Sequence, residues 1–195
     1  MQQPGRPREF DPDETLSKIM QLFWEHGYEA TGLRDIIAAT GLGKASLYAA
    51  FGNKQSMYLK ALAHYDKLMV DASVAILRAP GLTPMQQIAA FLSAPITAVR
   101  DHADRRGCFL CNASADRASL DGDTADIVGQ GYDKMRRGIA HALAEMFPQM
   151  DADKRVEQAQ FILTVYAGLR VMSRSGMAVE LLVHSKDALL GTLRD

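Results

Sequence analysis

Gly41-Leu42-Gly43-Lys44-Ala45-Ser46-Leu47-Tyr48-Ala49-Ala50-Phe51-Gly52-Asn53-Lys54 is the stretch on which the reading of this chain turns. Gly41-Leu42-Gly43 breaks the backbone for three residues, and Gly52-Asn53 breaks it again. Between the breaks, Leu47 and Phe51 lie one helical turn apart, so 44–51 reads as a short helix with one buried edge. Upstream, Leu33, Ile36 and Ile37 mark the buried side of another short helix, for which Thr31 is the expected N-cap. Two helices of about eight residues joined by a glycine-containing three-residue turn form the helix-turn-helix geometry. Its second helix enters the major groove of DNA with its N-terminal residues at base edges.

The side chains suit that use. Ala45, Ser46 and Ala49 are small enough for a helix to approach a groove wall. Lys44 and Lys54 carry charge for phosphates, and the Tyr48 hydroxyl has a proton to donate to one. Residues 31–60 hold Arg34, Lys44, Lys54 and Lys60 against Asp35 alone, a local positive surplus in a chain of formal net charge −1. A polybasic binder is excluded, while a local basic surface is not. Arg6 and Arg8, flanking Pro7, suit a short arm reaching into a minor groove.

The run 15–65 resembles the DNA-binding domain of the tetracycline-repressor (TetR) family of bacterial transcription regulators. The resemblance is carried by Leu22-Phe23-Trp24-Glu25-His26-Gly27-Tyr28-Glu29-Ala30-Thr31, Arg34-Asp35-Ile36, Gly41-Leu42-Gly43-Lys44 and Leu47-Tyr48-Ala49-Ala50-Phe51-Gly52-Asn53-Lys54. It implies that Thr31 caps the second helix and faces a phosphate, that Lys44 opens the recognition helix, and that Tyr48 and Lys54 clamp the DNA backbone. The chain departs from the family pattern at Gly43, where a Ser or Thr cap is usual. That exchange weakens the cap by only a few tenths of a kcal/mol.

Working outward, nearly every long segment carries the helical period, and no strand pair is recognisable. Leu16, Ile19, Met20 and Phe23 place a helix at 15–26, stopped by Gly27. A long helix is expected at 54–77, then punctuation at Ala79-Pro80-Gly81. Further helices are expected at 84–102, 107–118, 124–147, 153–175 and 178–193, with Pro95 kinking or splitting the first of these. The fold class is therefore all-α. An N-terminal arm and three-helix DNA-binding domain (1–53) precede a larger helical effector-binding and dimerisation domain (54–195), with the helix at 54–77 connecting the two.

A helix-turn-helix monomer makes few contacts, so such proteins pair and read palindromic half-sites. Val156, Ala159, Phe161, Ile162, Leu163, Val165, Tyr166, Leu169, Val171 and Met172 make one helix apolar on nearly every side, and Val179, Leu182, Val183, Leu189 and Leu190 do the same for the last. One side of each is free to face a partner, and the resemblance implies a homodimer through a four-helix bundle of these two helices. Phe91, Phe109, Tyr132, Met135, Phe161 and Tyr166 are candidates to line an effector cavity, with Asn112 as its orienting polar group. Cys108 and Cys111 are also candidates there. Arg105 and Arg106 just upstream, and a helix start near Gly107, favour a reactive thiolate and an alternative in which the regulator senses oxidants or electrophiles.

Other chemistry is set aside on spacing. A phosphate-binding loop would need glycine where Ala38 stands and Ser or Thr where Ala45 stands. His26, His64, His102, His141 and His184 are scattered, and two cysteines lack the second pair that a metal site needs. No catalytic constellation, cofactor motif or metal site is expected, and an oxidoreductase would need strands around Cys108. The opening residues lack the pattern of a secretion signal and no apolar stretch is long enough to span a membrane, so the expected place is the cytoplasm. The expected function is sequence-specific regulation of transcription: repression at a palindromic double-stranded DNA operator, relieved by a small molecule.

Overall fold

In the computed structural model, which describes residues 10–194, every regular element among those residues is helical. The chain divides into two compact units, the first ending at His64 and the second beginning at Tyr65.

The N-terminal unit opens with α1 (Pro12–Ala30). Its start lies three residues before the first expected one because the first turn carries no apolar signal. The Asp11 carboxylate accepts the N–H groups of Asp13 at 2.8 Å and Glu14 at 3.3 Å, and Pro12 occupies a position where no donor is needed. Ile19, Met20, Phe23 and Trp24 are buried on one face. Gly27 ends the regular run: its φ of 79° and ψ of 177° are open only to glycine, and the chain makes one more turn before Thr31.

The elements α2 (Leu33–Thr40) and α3 (Lys44–Phe51) follow as the period predicts. Gly41, in the left-handed region, closes α2 by donating its N–H to the Ile37 carbonyl. Asn53 begins α4 (Lys54–Tyr65), its side-chain oxygen accepting the Ser56 N–H at 2.9 Å. Ile19, Phe23, Ile36, Leu47, Met57 and Tyr58 make the centre of the unit, with the Phe23 and Tyr58 rings edge to face at 5.2 Å.

The helical run continues beyond α4, but not as the uniform helix expected over 54–77. Asp66–Val70 forms a π turn before α5 (Asp71–Ile76). The wider turn brings Asp66 and Asp71 into line, and the Lys134 ammonium donates to both carboxylates. Gly131 allows this approach: a Cβ there would sit 2.4 Å from Leu110 Cδ1 and 3.0 Å from Asp66 Oδ1.

The C-terminal unit is completed by α6 (Pro84–His102), α7 (Phe109–Asp116), α8 (Gly122–Met146), α9 (Ala152–Arg174) and α10 (Val179–Gly191). Thr83 and Gln86 form a reciprocal capping box for α6, while Asp121 and Asp151 cap α8 and α9 through their carboxylates. Pro95 does not split α6, which passes through it as one element. Phe91, Leu92, Leu110, Ile139, Leu143, Ile162 and Leu182 meet in the unit's core. No helix among the described residues is long and apolar enough to cross a membrane.

Candidate functional site

The short α3 buries Leu47 and Phe51 and leaves Lys44, Ala45, Ser46, Tyr48 and Ala49 exposed. Five of the residues expected to meet DNA thus share one free surface on the second helix of the pair. Lys44 Nζ lies 5.6 Å from the Tyr48 ring centre, so the charge and the phenol sit together. Gly43 begins the helix with no side-chain cap, which leaves its first N–H groups unoccupied by a side chain and pointing to where an anion would sit. Arg34 is exposed in the first turn of α2. Lys54 is half-buried at the start of α4, with its ammonium 4.4 Å from the Tyr28 ring centre. That cation–π contact fixes a stem that would otherwise be free to swing. Arg6 and Arg8 lie outside the described residues.

Thr31 is different from the expectation. The N-cap of α2 is Gly32, whose N–H donates to the Asp35 carboxylate at 2.7 Å. Thr31 is fully buried, and its hydroxyl donates inward to the Gly27 carbonyl at 2.7 Å. It therefore locks the end of α1 and presents nothing to a phosphate. Thr31→Ala is expected to cost about 1–2 kcal/mol of stability by leaving the half-buried Gly27 carbonyl without that donor. The salt dependence of DNA binding by the folded variant should be unchanged; a shallower slope would return Thr31 to the phosphate contacts.

In the C-terminal unit, the candidate effector residues divide. Phe91, Cys108, Phe109, Met135 and Tyr166 are buried together in the core. The Phe91 and Tyr166 rings stack at 4.1 Å, and Phe109 meets Tyr65 edge to face at 5.7 Å. Tyr132 is half-buried and lines a groove of about 390 Å³ with Gly129, Asp133, Arg136, Gln160, Leu163, Thr164 and Ala167. Asn112 does not aim into a cavity. Its amide donates to the Arg106 carbonyl at 3.0 Å, tying down the loop before α7. Phe161 is not interior either: it is 49% exposed on the outer face of α9.

Sequence reasoning did not select Arg170, whose guanidinium donates twice to the Tyr166 hydroxyl at 3.0 and 2.8 Å. The available signal was its place one turn after Tyr166. The outer face of α9 and α10 exposes Val156, Phe161, Val171, Met172 and Leu181, while Ala159, Ile162, Leu163, Tyr166 and Leu169 of the same stripe point inward.

The bacterial regulatory proteins of the tetR family share a sequence pattern that this chain matches over residues 16–61, which covers α1 to α4 up to residue 61. Over that segment the chain is similar to TetR-family regulators. The transcriptional repressor ComR of Escherichia coli strain K12 is 29% identical over 185 residues, 92% of this chain and 87% of that protein. The repressor BdcR of the same strain is 29% identical over 177 residues, 91% of this chain and 86% of that protein. Among solved structures, a cysteine-substituted variant of the TetR-family regulator CifR, in complex with 26-base-pair operator DNA, superposes with a TM-score of 0.82. It is 26% identical, and the match covers 95% of this chain and 98% of that one. The matched segment includes α2 and α3, and with it the exposed face built by Lys44, Ala45, Ser46, Tyr48 and Ala49.

Proposed function

We propose that this chain is a transcriptional repressor that binds a palindromic operator as a homodimer and is released by a small-molecule effector. The observation that carries the reading is the exposed surface of α3, on which small side chains flank one lysine and one tyrosine. Small residues let the helix sit deep in a major groove, and Lys44, Tyr48, Lys54 and Arg34 then meet the phosphates on either side. The outer face of α9 and α10 supports pairing, since it leaves Val156, Phe161, Val171, Met172 and Leu181 exposed, and large apolar side chains gathered at a surface favour an interface. The groove beside Tyr132 supports the effector site: Leu163 and Ala167 give it apolar wall, while the Tyr132 phenol, the Arg136–Asp133 ion pair, Gln160 and Thr164 offer polar groups to orient a small ligand. The effector acts by binding the operator-incompetent state more tightly than the competent one, and that difference limits how far it shifts the balance. No catalytic step is part of this function, and its place is the cytoplasm, with the DNA it reads.

The test is an anisotropy titration against DNA flanking the chain's own gene, at several salt concentrations. Binding that is tight at one fragment, steep in salt and weaker on scrambled DNA supports the reading; equally weak binding to every fragment speaks against specificity. Within that assay, Lys54→Ala should weaken binding to all sequences alike and lower the salt slope by about one unit. The variant also gives up the Tyr28 contact, worth about 0.5–1 kcal/mol, so its melting should be compared alongside. An unchanged slope would remove Lys54 from the phosphate contacts.

A further inference from the structure

Two grooves run along opposite sides of α8. Tyr132 and Arg136 line the one toward α9. Lys134 and Arg137 line a larger cleft, of about 690 Å³, against α5 and the turn that follows it. Neither operator binding nor pairing calls on this second cleft.

Its walls follow from the sequence. Asp71, Val74, Ala75 and Arg78 recur at the helical period and so share one edge of α5 and its last turn. Gly138 lets α8 lie close to that edge: a Cβ there would stand 3.0 Å from Leu77 Cδ1 and 3.4 Å from Val74 Cγ1. Lys134 and Arg137 are one turn apart on α8 and border the same space. Val74, Ala75 and Pro80 give the cleft its apolar wall, and three cations line it against the single carboxylate of Asp71.

The cations have donors to spare. Lys134 uses two of its three N–H groups on Asp66 and Asp71, the second at 2.9 Å, and the third has no acceptor among the described residues. Arg137 comes no closer than 3.9 Å to the Asp133 carboxylate, outside hydrogen-bond range, and Arg136 already holds that group at 2.9 Å. The exposed Arg78 side chain has no acceptor among the described residues. The Asp71 side chain is 52% exposed, so its carboxylate is free to turn to water and leave its place at Lys134 to another anion. Asp66, at 15%, is the fixed partner of the ammonium. Two guanidinium groups and an ammonium around an apolar wall suit an acid with a hydrocarbon body, since a guanidinium fork matches a carboxylate and the wall covers the chain.

We propose that the cleft between α5 and α8 is a second small-molecule site, one that takes an aliphatic carboxylate. Its head meets Arg78, Arg137 and Lys134 in exchange for Asp71, and its chain lies on Val74, Ala75 and Pro80. The exchange swaps one anion for another at Lys134, so Asp66 keeps its ion pair while Asp71 is released to solvent.

Isothermal titration of the full-length protein with octanoate, without DNA, tests this. Operator binding and the Tyr132 groove can each fail with no bearing on the result. Expected is saturable binding at one site per chain. Octanol and inorganic phosphate should each bind at least about tenfold more weakly, because one lacks the charge and the other the hydrocarbon. Substitutions should move the affinity in opposite directions. Arg78→Gln combined with Arg137→Gln should weaken octanoate about tenfold. Asp71→Asn should tighten it about threefold by removing the competing carboxylate. All three side chains are exposed, and helical circular dichroism reports that the variants are folded. Lys18→Gln, which removes an exposed charge of α1, should leave the affinity as it is. The proposal is overturned if octanoate shows no saturation below about 10 mM, or if octanol or phosphate binds as tightly. It is equally overturned if the double arginine variant binds as the native chain does, or if Asp71→Asn fails to tighten binding.

Discussion

Replacing Gly52 with alanine is expected to destabilise the N-terminal unit by about 2–4 kcal/mol, and operator binding should fall with the folded fraction. Two costs meet at this residue. Its φ of 82° with ψ of −156° lies in a region that side chains do not tolerate. A Cβ would also stand 2.8 Å from the Ser56 Cβ and 2.9 Å from its hydroxyl. Ser56 has little freedom to give way, because its N–H and hydroxyl are both bonded to the Asn53 side chain that begins α4. Gly41 supplies the control. It too has a left-handed φ, 72°, but nothing lies near its missing Cβ. Gly41→Ala should therefore cost only about 1–2 kcal/mol. Thermal melting of the two variants side by side checks the contrast, and equal losses would show that the Ser56 collision does not matter.

Phe91→Ala should cost the C-terminal unit about 3–5 kcal/mol in urea unfolding. Phe91 is fully buried on α6, and its ring stacks on Tyr166 at 22° between planes. Truncation removes that surface from the Tyr166 ring, whose hydroxyl holds Arg170 in place. Were Phe91 the wall of an open effector cavity, the deleted volume would add to space already present, and the loss would be about half as large. Phe91→Leu should recover most of the stability, because it restores most of the volume. The measured cost therefore decides whether this aromatic is packing or pocket.

The helix-turn-helix was legible because its evidence is local. Gly41, Gly43 and Gly52 break the chain where they stand, and Leu47 and Phe51 define the only edge that so short a helix has to bury. Thr31 misled because a threonine before a helix reads as a cap, whereas its bond to Gly27 depends on how the preceding helix ends. The π turn at Asp66–Val70 had no signal of its own; its register is read from Lys134 on α8, 63 and 68 residues away. α9 shows the same limit. Apolar residues ring it on nearly every side, so periodicity alone did not say that Tyr166 turns inward and Phe161 outward. Asn112 was taken for a ligand group because it is polar in an apolar stretch, and the carbonyl it serves became visible only when the loop at Arg106 was folded back onto α7.

The outward face of α9 and α10, with Phe161, Val171, Met172 and Leu181, has a consequence for how such regulators diverge. In the homodimer proposed above, a surface that meets its own copy carries every substitution twice. A change worth about 1 kcal/mol per copy shifts self-association by about 2 kcal/mol, roughly thirtyfold. After a gene duplication, one or two exchanges on this face suffice to separate the sibling chains into species that pair only with themselves. Each descendant then keeps its own operator without interference from mixed pairs.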